Sequence, residues 1–333
     1  MKGFSNRWSD FPHYILGITR DIWEGRDIAG LDHWYAPDIP VRTPMGVATG
    51  NAGVIASTMA TLHEFPDREL LGEDVIWSET DGHYLSSHRI LSTGTHTGDG
   101  YFGAATGRRF AVRVIADCAA RGDIIDDEWL VRDNGGLIRQ LGGDPRDFAR
   151  ALIMRAGGPD KARRPFTPDA DCPGPYTGRG NDNPWGTRYA ETLTRIMAGD
   201  LAHVLDSHDR AAQADHAGGR HLVGARAIAD SWMALRASFP SARFTIHHVI
   251  GMEGGMMPPR AAIRWSLDGI HDGWGAFGPP TGARVHVMGM AHAEFGPFGP
   301  DGPRETGGLR RECALWDEIA IWKQILLHTG DTE

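Results

Sequence analysis

Apolar residues recur at helical spacing over residues 12–24, with Tyr14, Ile15, Ile18, Ile22 and Trp23 on one side. The pattern predicts a first helix closed by Gly25. Residues 28–35 predict a second short helical segment and 51–65 a third helix. After Phe65-Pro66, where proline forbids a further turn, the period shortens to two. Strands are predicted over 70–78, 83–93, 110–120 and 124–132. An aspartate cap with proline behind it predicts a helix over 144–154. The order then repeats. A helix over 224–239 stops at Phe239-Pro240, and strands follow over 244–250, 261–267, 285–293 and 309–316.

The repetition extends to single residues. Arg89, His96, Phe102-Gly103, Thr106-Gly107 and Arg109 return as Arg264, His271, Phe277-Gly278, Thr281-Gly282 and Arg284, each 175 positions later. The run Glu128…Asp133 returns as Glu312…Asp317, 184 positions later, so the second copy has gained nine residues. They are expected in a Gly/Pro-rich turn over 295–308. Residues 157–186, crowded with proline, glycine and charge, read as a connector. The chain therefore divides into a first domain over 1–145, a helix and connector over 146–187, and a second domain over 188–333.

Composition narrows the function. A net charge of −9 argues against nucleic-acid or anionic-membrane partners, both of which want a basic face. Three scattered cysteines suit a reducing compartment. There is no signal-like amino terminus and no apolar run of ~20 residues. A soluble, cytoplasmic protein is expected. No phosphate loop, zinc spacing or nucleophile elbow occurs, so neither metal nor cofactor is expected.

Each half reads as helices followed by a strongly bent antiparallel sheet, an α+β architecture. The residues Gly94-Thr-His-Thr-Gly98, Thr106-Gly-Arg108, Asp127-Glu-Trp129, Asp133 and Leu137-Ile-Arg-Gln140 resemble the SnoaL-like polyketide cyclase (ester cyclase) family. So do Arg264-Trp-Ser, His271, Pro280-Thr-Gly282 and Trp316-Asp317 of the second half. The resemblance implies two tandem cone-shaped domains of the nuclear-transport-factor-two-like superfamily, each with an apolar cavity. It also implies an inward carboxylate and a histidine that move a proton on the substrate. Those two positions fall here on Leu130 and on Ile115 or Ala116, so aldol cyclisation is not carried over with the fold.

Other residues could supply the chemistry. Alternation puts Glu128, Leu130 and Arg132 on one face, and Glu312, Ala314 and Trp316 on one face of the copy. A carboxylate inside an apolar cavity is pushed up toward neutrality and becomes a working base. The segment His83–Arg89 adds His83, Tyr84, His88 and Arg89, and Asp117 could add a carboxylate. Glu128 is thus the expected base, with His88 or His83 polarising the substrate beside Tyr84 and Asp117. Arg89, Arg132, Trp129, His96, Leu130 and Trp77 are expected substrate contacts. Glu312, Arg264, His271 and Trp316 are their counterparts in the second copy. Structural readings stand beside these: ion-paired glutamates, a solvated hairpin at 79–89, and turn histidines at 96 and 271. His286, Met288, Met290, His292 and Glu294 alternate along the outer face of their strand, a surface suited to packing the halves into an intramolecular pseudo-dimer. Two functions remain open: a cofactor-free acid–base enzyme acting on a small carbonyl or hydroxyl compound, and a non-catalytic small-molecule binding protein.

Overall fold

A computed structural model describes residues 1–254 and 256–331, apart from the side chains of 303–306. The first half runs α1 (Phe11–Trp23), α2 (Leu31–Trp34), β1 (Pro40–Thr43), β2 (Gly46–Thr49), α3 (Asn51–Glu64), β3 (Glu69–Thr80), β4 (His83–Thr95), β5 (Arg109–Arg121), β6 (Ile124–Arg132) and α4 (Asn134–Gln140). After α5 (Pro145–Arg155) and the connector, the same order returns. It comprises α6 (Pro184–Met197), α7 (Ala202–Ser207), β7 (His208–His216), β8 (Arg220–Val223), α8 (Ala225–Ser238), β9 (Arg243–Gly254), β10 (Met257–Ile270), β11 (Arg284–Gly299), β12 (Gly302–Trp316) and α9 (Glu318–Thr329).

Local chemistry starts the helices where the sequence places them. The Asp10 carboxylate accepts from His13 N at 2.8 Å, satisfying one of the free donors at the start of α1. The buried side of α1 carries Phe11, Tyr14, Ile15, Ile18 and Ile22, and it lies on the sheet.

Each sheet has six strands, in the orders β2-β1-β6-β5-β4-β3 and β8-β7-β12-β11-β10-β9. The sheets are mixed, which departs from the antiparallel expectation. β1 runs parallel to β6, with Val41 opposite Glu128, and β7 runs parallel to β12, with Ala214 opposite Glu312. A second difference concerns the nine extra residues. They do not form a loose turn, because β11 and β12 stay paired out to Gly299 and Gly302, past two register shifts. Gly307, at φ 61°, adopts the left-handed backbone that such an irregularity favours.

The two sheets meet through their convex faces. Ile115 and Val131 pack against Met288, Met290, Cys313 and Leu315, with Phe166 of the connector added. Ile76, Leu85 and Ala119 pack against Ile250 and Ala262. Buried polar pairs cross the same boundary. Ser87 hydrogen-bonds His292 at 2.9 Å, Arg89 pairs with Glu294 at 2.8 Å, and Arg264 with Asp117 at 3.0 Å. Asp133 caps α4 and also accepts from Gly218 N and Gly219 N, each at 2.7 Å. No helix among the described residues is long and apolar enough to cross a membrane.

Candidate active site in the first cone

Alternation along β6 sends Glu128, Leu130 and Arg132 to the concave side of the first sheet and Trp129 and Val131 to the convex side. Register carries this across the sheet. Glu128 stands opposite Cys118, which stands opposite Ser86, and Leu130–Ala116–His88 form the next row. Helix α1 roofs these rows, and Trp8, Trp34 and Leu31 complete an apolar cluster around them.

Glu128 is 6 % exposed. Burial pushes its carboxyl up to about 7, although nearby Arg132 and a hydrogen bond with Tyr35 pull the other way. Burial and the charge of Glu128 hold the Tyr35 phenol well above its ordinary value, so Tyr35 stays a donor. Arg132 makes no ion pair or hydrogen bond among the described residues, and burial lowers its pKa. Arg68 lies near it. Arg68 Nε donates to Ser92 Oγ at 3.1 Å, and burial with the like charge of Arg132 lowers it to about 9. One carboxylate poised near neutrality thus faces the Arg132 guanidinium, with Arg68 behind it, in buried surroundings where such charges interact strongly. In the same cluster the Tyr14 hydroxyl and the Trp8 and Trp34 indole N–H groups are buried without hydrogen-bond partners.

His88 is on the concave face, with Nδ1 3.2 Å from Ser86 Oγ, and burial lowers it to about 4. It is therefore neutral at pH 7. Two strands and two residues separate it from Glu128, about 12 Å along the sheet, so the two are not in contact. Tyr84 and Trp77 share this side and pack against each other and Phe11.

The other expected site residues lie elsewhere. His83 points to the convex side, bonded to Asp126 at 2.6 Å with its ring against Tyr176 of the connector. Arg89 is held between Glu73 and Glu294. Asp117 is paired with Arg264, and burial raises its carboxyl despite that arginine. Trp129 is sandwiched between the guanidiniums of Arg42 and Arg264, at 4.5 and 3.6 Å from its ring centre. Arg89, Asp117 and Trp129 belong to the contact between halves, and His83 to the contact with the connector. A period of two sends neighbours to opposite faces, so His83 and Arg89 cannot share a chamber with Tyr84 and His88. His96 bonds Thr106 Oγ1 at 3.2 Å and His271 bonds Thr281 Oγ1 at 3.0 Å, each inside its own turn.

In the second cone the matched carboxylate is tied down. Glu312 accepts from the Tyr189 hydroxyl and His216 Nε2 at 2.8 Å and from Trp232 Nε1 at 3.0 Å. Burial alone would raise it, but the bond and charge of His216 and the Tyr189 bond outweigh that, and it sits below its ordinary value. Trp232, Trp265 and Trp316 pack on one another and fill the interior.

Tyr35, Arg68 and Tyr14 were not among the residues singled out by sequence. Tyr35 ends a segment with no alternation to orient it, and Arg68 sits in the turn after Phe65-Pro66. Tyr14 did show its helical spacing, which gave burial but not the solitude of its hydroxyl. Among the described residues no group of three or more His, Cys, Asp or Glu side chains is placed to hold a metal ion.

The sequence pattern of the SnoaL-like polyketide cyclase family matches residues 13–141, and that of the SnoaL-like domain matches 186–297. No curated protein matches the chain. Among solved structures, IdmH of Streptomyces antibioticus, a candidate polyketide cyclase, is 24% identical over 39% of this chain and 97% of its own, with a TM-score of 0.34. A candidate SnoaL-like polyketide cyclase from Jannaschia sp. CCS1 is 17% identical over 44% of this chain and 96% of its own, with a TM-score of 0.35. A ketosteroid isomerase-like fold from Catenulispora acidiphila, solved with trimethylamine, is 15% identical over 40% and 95%, with a TM-score of 0.33. The first match spans most of the first cone and the second runs from α6 into β11, and the chain is a SnoaL-like protein of the nuclear-transport-factor-two-like superfamily with two copies of the domain in tandem.

Proposed function

We propose that the first half is a cofactor-free acid–base enzyme that moves a proton next to the carbonyl of a small, partly apolar compound. The second half is its scaffold. The reading adopts the division of the chain at 1–145 and 188–333. Its main support is the contrast between the two matched glutamates. Glu312 is held by three strong partners, Tyr189, His216 and Trp232. Glu128 has Tyr35 alone, and burial brings it to about 7. In this reading Glu128 takes the proton from the α-carbon and the electron pair moves onto the carbonyl oxygen. Arg132 and the Tyr35 hydroxyl stabilise that oxygen, and protonated Glu128 returns the proton to the same or a neighbouring carbon. In the adjoining row Leu130 and Ala116 are apolar and the neutral His88 lies about 12 Å from Glu128, which favours simple proton transfer over ring closure. The unpartnered Tyr14, Trp8 and Trp34 donors favour a ligand with acceptor oxygens, and they would serve a non-catalytic binding protein equally.

The test needs no known substrate. Small ketones and lactones are incubated with the protein in D2O, and deuterium entering the α-position is followed by NMR. Wild-type protein is expected to catalyse exchange, and Glu128→Gln to lower the rate by about 10²–10⁴. Folded Glu312→Gln is expected to keep it. Binding without exchange would establish the non-catalytic reading. Loss of exchange in Glu312→Gln alone would move the site to the other cone.

A further inference from the structure

A cavity of about 660 Å³ lies outside the first cone, where the connector crosses one end of the second sheet. Its volume is in the range typical of small-molecule sites, roughly 300–1,000 Å³. Arg164 of the connector, Arg243 at the start of β9 and Arg284 at the start of β11 converge on it, opposed by Asp169 and Asp268. None of the three arginines makes an ion pair or side-chain hydrogen bond among the described residues.

His286 supplies a second, independent observation. It is 8 % exposed, and its Nδ1 is buried without a hydrogen-bond partner. Asp268 Oδ1, at 4.0 Å, is too far to bond it. One side of the ring rests on Phe166, 5.6 Å away between centres, and the residue borders the cavity. An unsatisfied buried donor or acceptor costs roughly 1–3 kcal/mol, which a ligand could recover.

The duplication provides an internal comparison. Gln140 clamps Ala111 N and O, and Gln324 clamps His286 N and O in the same manner, so Ala111 and His286 are matched. Arg109 and Arg284 open their strands alike. Glu69 opens β3 where Arg243 opens β9. Between the copies, an acid has become an arginine and an alanine a histidine at one corner. The connector brings Arg164 to that corner of the second half.

We propose that this cavity binds a small organic anion with at least two negative charges, held by Arg164, Arg243 and Arg284 with His286 as an additional donor. Guanidinium forks bind carboxylate and phosphate oxygens in pairs. Val285 and Leu327 in the wall suit a carbon skeleton better than a bare inorganic ion. The site is independent of Glu128 and of the chemistry assigned to it.

Calorimetric titration of the full chain at low salt with citrate, glycerol 3-phosphate and acetate tests the site. Saturable binding of citrate or glycerol 3-phosphate, at least about tenfold tighter than acetate, is expected; a tenfold change is about 1.4 kcal/mol. Whichever is tighter identifies the anionic group. The Arg243→Gln/Arg284→Gln variant is expected to lose at least about tenfold in affinity. The Arg243→Lys/Arg284→Lys variant should retain part of it. Both arginines are exposed, so the fold should survive, and an unchanged Tm verifies this. In wild-type protein the His286 ring resonances are expected to shift on saturation. Equal affinity for acetate and citrate, unchanged affinity in the double glutamine variant, or no saturable binding by either polyanion would each overturn the proposal.

Discussion

Glu128 is a residue whose protonation should be visible in the stability of the whole protein. An ordinary glutamate titrates near 4.3 in an unfolded chain, whereas in the first cone Glu128 titrates near 7. The folded state therefore holds the proton more tightly between those values. Its contribution is most favourable below about pH 4.3, falls as pH rises toward about 7, and is level above. The loss is up to about 4 kcal/mol, with the attraction of Arg132 already counted in the shifted value. Chemical denaturation of wild type and Glu128→Gln at pH 5 and pH 8 isolates this term, because other groups cancel in the difference. Wild type should lose stability relative to the variant as pH rises. A constant difference would mean that the carboxyl is not perturbed. Catalysis should run the opposite way, with kcat/KM rising through about pH 7 as the base loses its proton.

Among the elements, α4 is the most dependent on one side chain. Asp133 bonds Gly136 N as a helix cap and Gly218 N and Gly219 N across the boundary between halves. Removing an ordinary cap costs about 1 kcal/mol. Asp133→Ala would also leave two further amides without their acceptor, so about 2–3 kcal/mol is expected from urea unfolding. A loss near 1 kcal/mol would mean that water replaces the cross-boundary bonds. The elements also show what sequence could and could not reveal. Strong periodicity made α1, α3, α8 and most strands legible to within a few residues, but β11 and β12 run six and seven residues further toward their shared turn than expected; the 175-residue offset revealed the duplication. The parallel pairing of β1 with β6 was not legible, because Pro40–Thr43 is too short for alternation to register. The split of His83–Arg89 between two faces was legible in principle. A period of two separates Tyr84 and His88 from His83 and Arg89, yet as a cluster they read as one site. Which face of β5 and β6 served the partner sheet depended on contacts 175 residues away, and no local pattern contains those.

For the whole molecule, the two cones form one structure joined through their backs. Ile76, Leu85, Ile115 and Val131 are buried there only because the second sheet covers them. Each fully buried aliphatic side chain contributes roughly 1.5–3 kcal/mol. Residues 1–145 expressed alone should therefore associate or aggregate, and adding the second half in trans should suppress this. A monodisperse monomer from light scattering would show that the covered face is dispensable. That covered face has a further consequence during synthesis. Trp316 is made 184 residues after Arg132, roughly 10–40 s later at about 5–20 residues per second. For that interval the back of the first cone has no partner. Asp74, Arg89 and Asp117, set among its aliphatic residues, then act as guards against unwanted strand and sheet contacts. They become cross-boundary ion pairs once Arg260, Arg264 and Glu294 arrive.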